Sequence, residues 1–132
     1  MREVAFEVSG LPPAKNEALS LLGAGHSHAQ RVRTLLEAAR DAVDVDFVPL
    51  HNGLGLEVEL VTPHDLDPWD ATNYLGGIGD VLEVKTRRGP LDHLGGLEDV
   101  ALYENDRQIK EVHYRHLLGD VTRYRVRLWE LE

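Results

Sequence analysis

Two segments of the chain carry side chains able to hold a divalent cation. The first is Asp70-Ala-Thr-Asn73-Tyr-Leu-Gly-Gly-Ile-Gly-Asp80, and the second is Tyr103-Glu-Asn-Asp106-Arg-Gln108-Ile. Wound as a helix at about 100° per residue, the first segment gathers Ala71, Tyr74, Leu75, Ile78, Val81 and Leu82 on one apolar arc. Asp70, Asn73, Gly77 and Asp80 share the neighbouring arc. The second segment reads as a turn that delivers Asp106 to the start of a strand. Mg²⁺ takes oxygen ligands, typically one or two carboxylates completed by water and substrate phosphate. A helix-borne Asp70 and a strand-leading Asp106, converging at one end of a sheet and helped by Asn73 or Asp80, would supply such a site. Its metal would polarise a phosphoryl oxygen and activate a water. Each acid also has a local reading. In Asp67-Pro-Trp-Asp70, Asp67 suits an N-cap, Pro68 a first helical position, and Asp70 a first turn favoured by free N–H groups. Asp106 suits a turn, and Asp80 a solvated helix face.

The elements that must position these groups follow from patterning. Residues 3–9 alternate, with Val4, Phe6 and Val8 opposite Glu3 and Glu7, as a half-buried strand does. Gly10-Leu-Pro-Pro ends it. Ser27 and Gln30 form a capping box for a helix that lines up Val32, Leu35, Leu36, Ala39 and Val43 and ends near Val43. Residues 54–62 alternate again, with Glu57 and Glu59 outward. A second helix is expected from about Pro68 to Glu83. Gly76, Gly77 and Gly79 within it each cost about 1 kcal/mol relative to alanine, so some group must approach them closely, either another helix or a ligand. Residues 87–99 read as a loop. Residues 108–117 and 121–131 read as two strands of a hairpin joined at Leu118-Gly-Asp. The order β-α-β-α-β-β predicts an α/β (α+β) domain of two layers, a mixed sheet with two main helices on one face.

At 132 residues the chain is expected to be a single domain, 1–132. It has no cysteine, which removes disulfides and thiolate metal sites. No apolar run approaches the roughly 18 residues a membrane span needs, and the N-terminus alternates instead of forming a signal block. A cytoplasmic location is expected. The seven histidines, among them His26, His28, His113 and His116, lack zinc-site spacing. The formal net charge of −9 works against phosphate binding, yet Arg107, Lys110, Arg123, Arg125 and Arg127 make the C-terminal part locally basic. Arg123, Arg125 and Arg127 share one face with Glu3, Glu7, Glu57 and Glu59. They either pair with those glutamates across strands or form a phosphate-binding sheet face.

These segments resemble the RusA family of Holliday junction resolvases. That family carries a pattern close to D-x-D-N-x-x-K-x-x-x-D-x-L, followed by D-D-x-Q-[IV]. This chain reads D-A-T-N-Y-L-G-G-I-G-D-V-L and N-D-R-Q-I, and its strand into Gly10-Leu-Pro-Pro matches the family's opening. The resemblance implies a small homodimeric nuclease of DNA recombination and repair, whose aspartate-held Mg²⁺ cuts branched DNA. It assigns Asp70 and Asp106 as catalytic metal ligands, with Asn73 and Asp80 at motif positions beside them. Thr72 stands where the family has its second aspartate, Gly76 where it has lysine, and Asn105 where it has the first of two paired aspartates. Three readings result: an active Mg²⁺-dependent endonuclease with an incomplete catalytic set, a non-catalytic RusA-like module binding nucleic acid or protein, or an acidic scaffold for a basic protein partner. Lys85 or Arg107 are candidates to replace the missing lysine. The glycine-lined face of the second helix is the candidate dimer contact.

Overall fold

The computed structural model describes residues 2–15, 28–64, 70–85 and 92–131. Strand β1 (Glu3–Ser9) leads to helix α1 (Ala29–Ala42), strand β2 (Leu54–Thr62), helix α2 (Ala71–Leu82), and strands β3 (Ile109–Leu118) and β4 (Arg123–Glu130). Short 3-10 turns occupy Asp92–Asp99 and Asp106–Gln108. The result is an α+β fold with a mixed four-stranded sheet and two helices, in the order β-α-β-α-β-β. Among the described residues no helix is long and apolar enough to cross a membrane.

The sheet order is β1-β4-β2-β3, with β2 and β3 parallel and the other pairs antiparallel. The last two strands are therefore not the hairpin their adjacency in sequence suggests. They flank β2, which is the most apolar strand and takes the centre, with Leu54, Leu56, Val58, Leu60 and Val61 all buried. The chain passes from β3 to β4 across the end of β2. There the Gly119 amide donates to the Thr62 carbonyl at 3.0 Å, and a Cβ on Gly119 would lie 2.5 Å from Val61 Cγ1. Only glycine allows so close a pass.

One face of the sheet carries Val4, Val8, Leu56, Val58, Leu60, Tyr124, Val126 and Leu128 against the buried stripes of α1 (Val32, Leu35, Leu36, Ala39) and α2 (Tyr74, Ile78, Val81, Leu82). Burying such side chains contributes about 1.5–3 kcal/mol each, which is what holds the helices to the sheet. The opposite face is charged. One cross-strand row reads Glu7, Arg125, Glu59, Arg115, and the next reads Ala5, Arg127, Glu57, His113.

The helix starts differ from expectation. α1 begins after His28, whose side chain makes no cap bond to its helix, and Ser27 lies outside the described residues. α2 begins at Ala71, with Asp70 itself as the N-cap. Asp67 and Pro68 lie outside the described residues. Part of the expected 87–99 loop is the 3-10 turn Asp92–Asp99, kinked at Gly95.

Candidate functional site

Helix α2 is fixed along one side by the segment that follows β1. The Lys15 amide donates to the Asn73 carbonyl at 3.0 Å, and Asn73 Nδ2 returns a bond to the Lys15 carbonyl at 3.2 Å. A Cβ on Gly77 would fall 2.0 Å from the Pro13 carbonyl oxygen. Gly77 thus admits the chain's own backbone to the helix, so this part of the helix is not open to a dimer partner. The segment is anchored in turn to α1, because the Ala14 amide donates to His28 Nδ1 at 3.1 Å and Arg31 donates to the Pro12 carbonyl at 3.2 Å. His28 is thereby a buried structural acceptor.

Asp70 closes the start of α2. Its Oδ1 accepts the Asn73 amide at 3.0 Å and the Thr72 hydroxyl at 2.8 Å. Asn73 Oδ1 accepts the Asp70 amide at 3.4 Å, which completes a reciprocal capping box. The Asn73 amide, followed by the Thr72 hydroxyl, holds the exposed Asp70 carboxyl below its usual pKa, since both bonds favour the ionised form. Thr72, the departure from the family pattern, is therefore a second donor to the cap.

The second motif is also a capping box. Asn105 Oδ1 accepts the Arg107 amide at 2.9 Å. Gln108 Oε1 accepts the Asn105 and Glu104 amides at 2.7 and 2.9 Å. Gln108 Nε2 donates to the Leu50 and Asn52 carbonyls, both at 2.9 Å. Gln108 thereby ties the turn before β3 to the lead-in of β2. Leu102 and Tyr103 bind the same region to the end of α2. The Leu102 amide donates to the Leu82 carbonyl at 2.8 Å and the Val84 amide to the Tyr103 carbonyl at 3.0 Å, while the Tyr103 hydroxyl donates to the Gly79 carbonyl.

This scaffold sets where the expected ligands lie. Asp106 donates its amide to Glu83 Oε2 at 2.8 Å, and Glu83 is the C-cap of α2. Asp70 stands at the other end of that helix, whose 12 residues span about 18 Å. Asp80 lies in the last turn, the tenth of those 12 residues, with Lys15 Nζ at 3.9 Å. The expected convergence of Asp70 and Asp106 is therefore corrected to two acids at opposite ends of α2, each beside a capped turn. Among the described residues no group of three or more histidines and acids is arranged to hold a metal ion.

Lys15 is the residue that sequence reading missed. Its side chain runs over Gly76, with Cδ 3.3 Å from where a Cβ there would be, so it occupies the space a longer residue at 76 would need. No spacing rule links positions 15 and 76. Lys85, one candidate to replace the family's lysine, instead donates to the carbonyls of Glu83 and Val100 at 3.2 and 2.6 Å, at the Asp106 end.

The basic candidates divide. Arg123 pairs with Glu7 and Arg127 with Glu3, and Arg127 also lies over the Trp129 ring at 4.5 Å. Arg125 stands between Glu7 and Glu59 in the register. Arg107 and Lys110 are exposed at the start of β3, where the β2/β3 register shifts. The outer sheet face is thus a lattice of both signs. A groove of about 480 Å³ opens elsewhere, at the end of α1, lined in part by Glu3, Asp44, Asp46, Phe47 and Val48. Arg2 crosses it, stacked on Phe47 at 4.9 Å and donating to the Val48 carbonyl at 2.7 Å. Comparison with protein-family models and with curated proteins finds no match to this chain.

Proposed function

We propose that the chain is a single-domain, RusA-like cytoplasmic module that binds a basic protein partner and does not cut DNA. The observation that carries this reading is the engagement of Asp70. Its carboxylate caps its own helix, with Thr72 as second donor, and Asp106 lies beyond the helix's other end. A metal-dependent hydrolase needs its acids around one ion, and among the described residues Asp70 and Asp106 stand at opposite ends of α2. The charge pattern supports protein over nucleic acid. Arg123 and Arg127 already face glutamates, the net charge is −9, and phosphate binding draws on cations available to release counterions. The groove beside α1, where Glu3, Asp44 and Asp46 lie by Phe47 and the exposed Val48, and where Arg2 already stacks on Phe47, suits a short segment carrying Lys or Arg beside an apolar residue.

The test is capture of a basic, apolar-flanked peptide by the wild-type chain and by Asp44→Lys/Asp46→Lys. Stoichiometric binding that the double variant loses supports the reading. Binding of four-way junction DNA with a negative salt slope, and of no basic peptide, overturns it.

A second reading, the Mg²⁺-dependent endonuclease acting on branched DNA, draws on Lys15. Its ammonium lies beside Asp80 and its chain fills the space over Gly76, so a cation is present near the place where the resemblance calls for one. Junction cleavage that requires Mg²⁺ and Lys15 would favour this reading.

A further inference from the structure

Helix α1 is followed by a tight turn, in which the Phe47 amide donates to the Asp44 carbonyl at 3.0 Å. The turn holds Asp44, Val45 and Asp46 in solvent, with Val45 fully exposed. Two hollows flank it. The larger, of about 480 Å³, lies toward β1 and is lined in part by Arg2, Asp46 and Val48. The smaller, of about 180 Å³, lies toward the end of the 3-10 turn Asp92–Asp99 and is lined in part by Val45, Val100 and Ala101. Val43, Asp44 and Phe47 line both, so the hollows adjoin. Among the described residues Asp44 and Asp46 enter no ion pair, whereas Glu3 is paired with Arg127.

Arg2 is the cation of the larger hollow, and its side chain shows what the hollow can hold. Its Cζ lies 4.9 Å over the centre of the Phe47 ring. Its Nη2 donates to the Val48 carbonyl at 2.7 Å, and its Nε stands 3.9 Å from Glu130 Oε1. Glu130 is placed independently by Asn52, whose Nδ2 donates to Oε2 at 2.9 Å. A guanidinium can offer its face to a ring and its edge N–H groups to oxygens at the same time, whereas an ammonium is a strongly hydrated point charge without that fork. The Arg2 side chain is 44% exposed, and contacts this exposed hold weakly, so it can swing out into water. Its backbone stays, because the Arg2 carbonyl accepts the Glu130 amide at 2.9 Å.

We propose that Arg2 is a resident stand-in for an arginine of the protein partner. The incoming guanidinium displaces it from Phe47, the Val48 carbonyl and Glu130, and an apolar residue beside that arginine enters the smaller hollow. This assignment rests on the basic-partner reading of the same groove, and it specifies arginine over lysine and competition by the chain's own side chain. The exchange is favourable on two counts. The incoming arginine takes over the contacts of Arg2 and adds a cation beside the unpaired Asp44 and Asp46. Its apolar neighbour is buried against Val43, Val45 and Phe47, which Arg2 does not supply. A side chain that occupies the hollow lowers the apparent affinity in proportion to the time the hollow is free.

The experiment is a chemical-shift titration of the full chain, which reads weak binding, with peptides in a Gly/Ser frame carrying Arg beside Leu, Lys beside Leu, or Arg beside Ser. Wild type is expected to bind the Arg/Leu peptide about tenfold more tightly than either counterpart, with shifts at Phe47, Val48 and Val100. Arg2→Gln should tighten that binding by about threefold or more. Arg115→Gln removes the same charge from β3, at the opposite edge of the sheet from β1, and should leave it unchanged. Thermal melts check that each variant folds. Arg/Leu binding no tighter than Lys/Leu or Arg/Ser, no tightening by Arg2→Gln, or equal tightening by Arg115→Gln would each overturn the assignment. The basic-partner reading survives any of these if Asp44→Lys/Asp46→Lys still abolishes binding. Absence of binding by every peptide would overturn both.

Discussion

Alanine substitution at two adjacent glycines of α2 should have opposite effects, and the difference can be worked from the structure. At Gly77 the new Cβ would lie 2.0 Å from the Pro13 carbonyl oxygen, 2.7 Å from its carbon and 3.0 Å from Ala14 Cα. All three are backbone atoms, in a segment tied down through Lys15, His28 and Arg31. The helix must move away by about 1 Å, and forced overpacking of this kind costs about 1–3 kcal/mol. Helix propensity returns about 1 kcal/mol for glycine to alanine. With backbone unable to yield, the clash falls at the upper end, and the net loss is about 2 kcal/mol. For a domain of this size that lowers Tm by roughly 6–10 °C. At Gly76 the nearest atom is Lys15 Cδ at 3.3 Å, the middle of a flexible side chain that can swing aside. Gly76→Ala should therefore be neutral or stabilising by up to about 1 kcal/mol. Calorimetry of both variants against wild type reads the difference. If Gly77→Ala melts at or above wild type, or if Gly76→Ala is the more damaging, the α2 glycines do not exist to admit the Pro12–Lys15 backbone.

Other outcomes follow from single groups. The folded-state pKa of Asp70 is depressed, so its contribution is full above the unfolded value of 3.8 and is lost as pH falls below it. Urea midpoints of wild type should drop more steeply below pH 4 than those of Asp70→Asn, and parallel acid limbs would show that the cap is not formed. Tyr124 Oη is buried with no hydrogen-bond partner among the described residues, and burial pushes its pKa up. Tyr124→Phe should stabilise by about 1–2 kcal/mol, and a measured loss of stability would mean that the hydroxyl is bonded. Gln108→Ala removes four hydrogen bonds around the second turn and should cost about 2 kcal/mol. Amide exchange at Glu104 and Asn105 should accelerate with it, and unchanged exchange would contradict the role assigned to Gln108.

Patterning made the element order legible. Val4, Val8, Leu56, Val58, Tyr124 and Val126 declare their faces by alternation, and α1 declares its stripe by helical spacing. Strand pairing was not legible in the same way. Leu118-Gly-Asp looks like a hairpin turn, but the burial of β2 on both sides places that strand between β3 and β4, and nothing local to residues 108–131 records this. The candidate site misled for a related reason. Asp-x-x-Asn and Asn-x-x-Gln are helix-start signals as well as oxygen-rich motifs, and sequence patterning puts the cap of the second helix on Asp67 and makes Asp106 an ordinary turn residue, whereas Asp70 and Asn105 do the capping. Whether two acids meet depends on Leu102 and Tyr103 docking on the end of α2, a long-range contact that motif spacing does not encode. Lys15 beside Gly76 is a contact of the same kind.

Asp70 caps the start of α2, and the proposed function has the domain bind without cutting DNA. Its most direct test is cleavage of four-way junction DNA in Mg²⁺ or Mn²⁺ by wild type and by Asp70→Asn, since asparagine caps about as well as aspartate and should keep the fold. No cleavage above background is expected from either protein. Cleavage by wild type that Asp70→Asn abolishes while its melt is unchanged would contradict it.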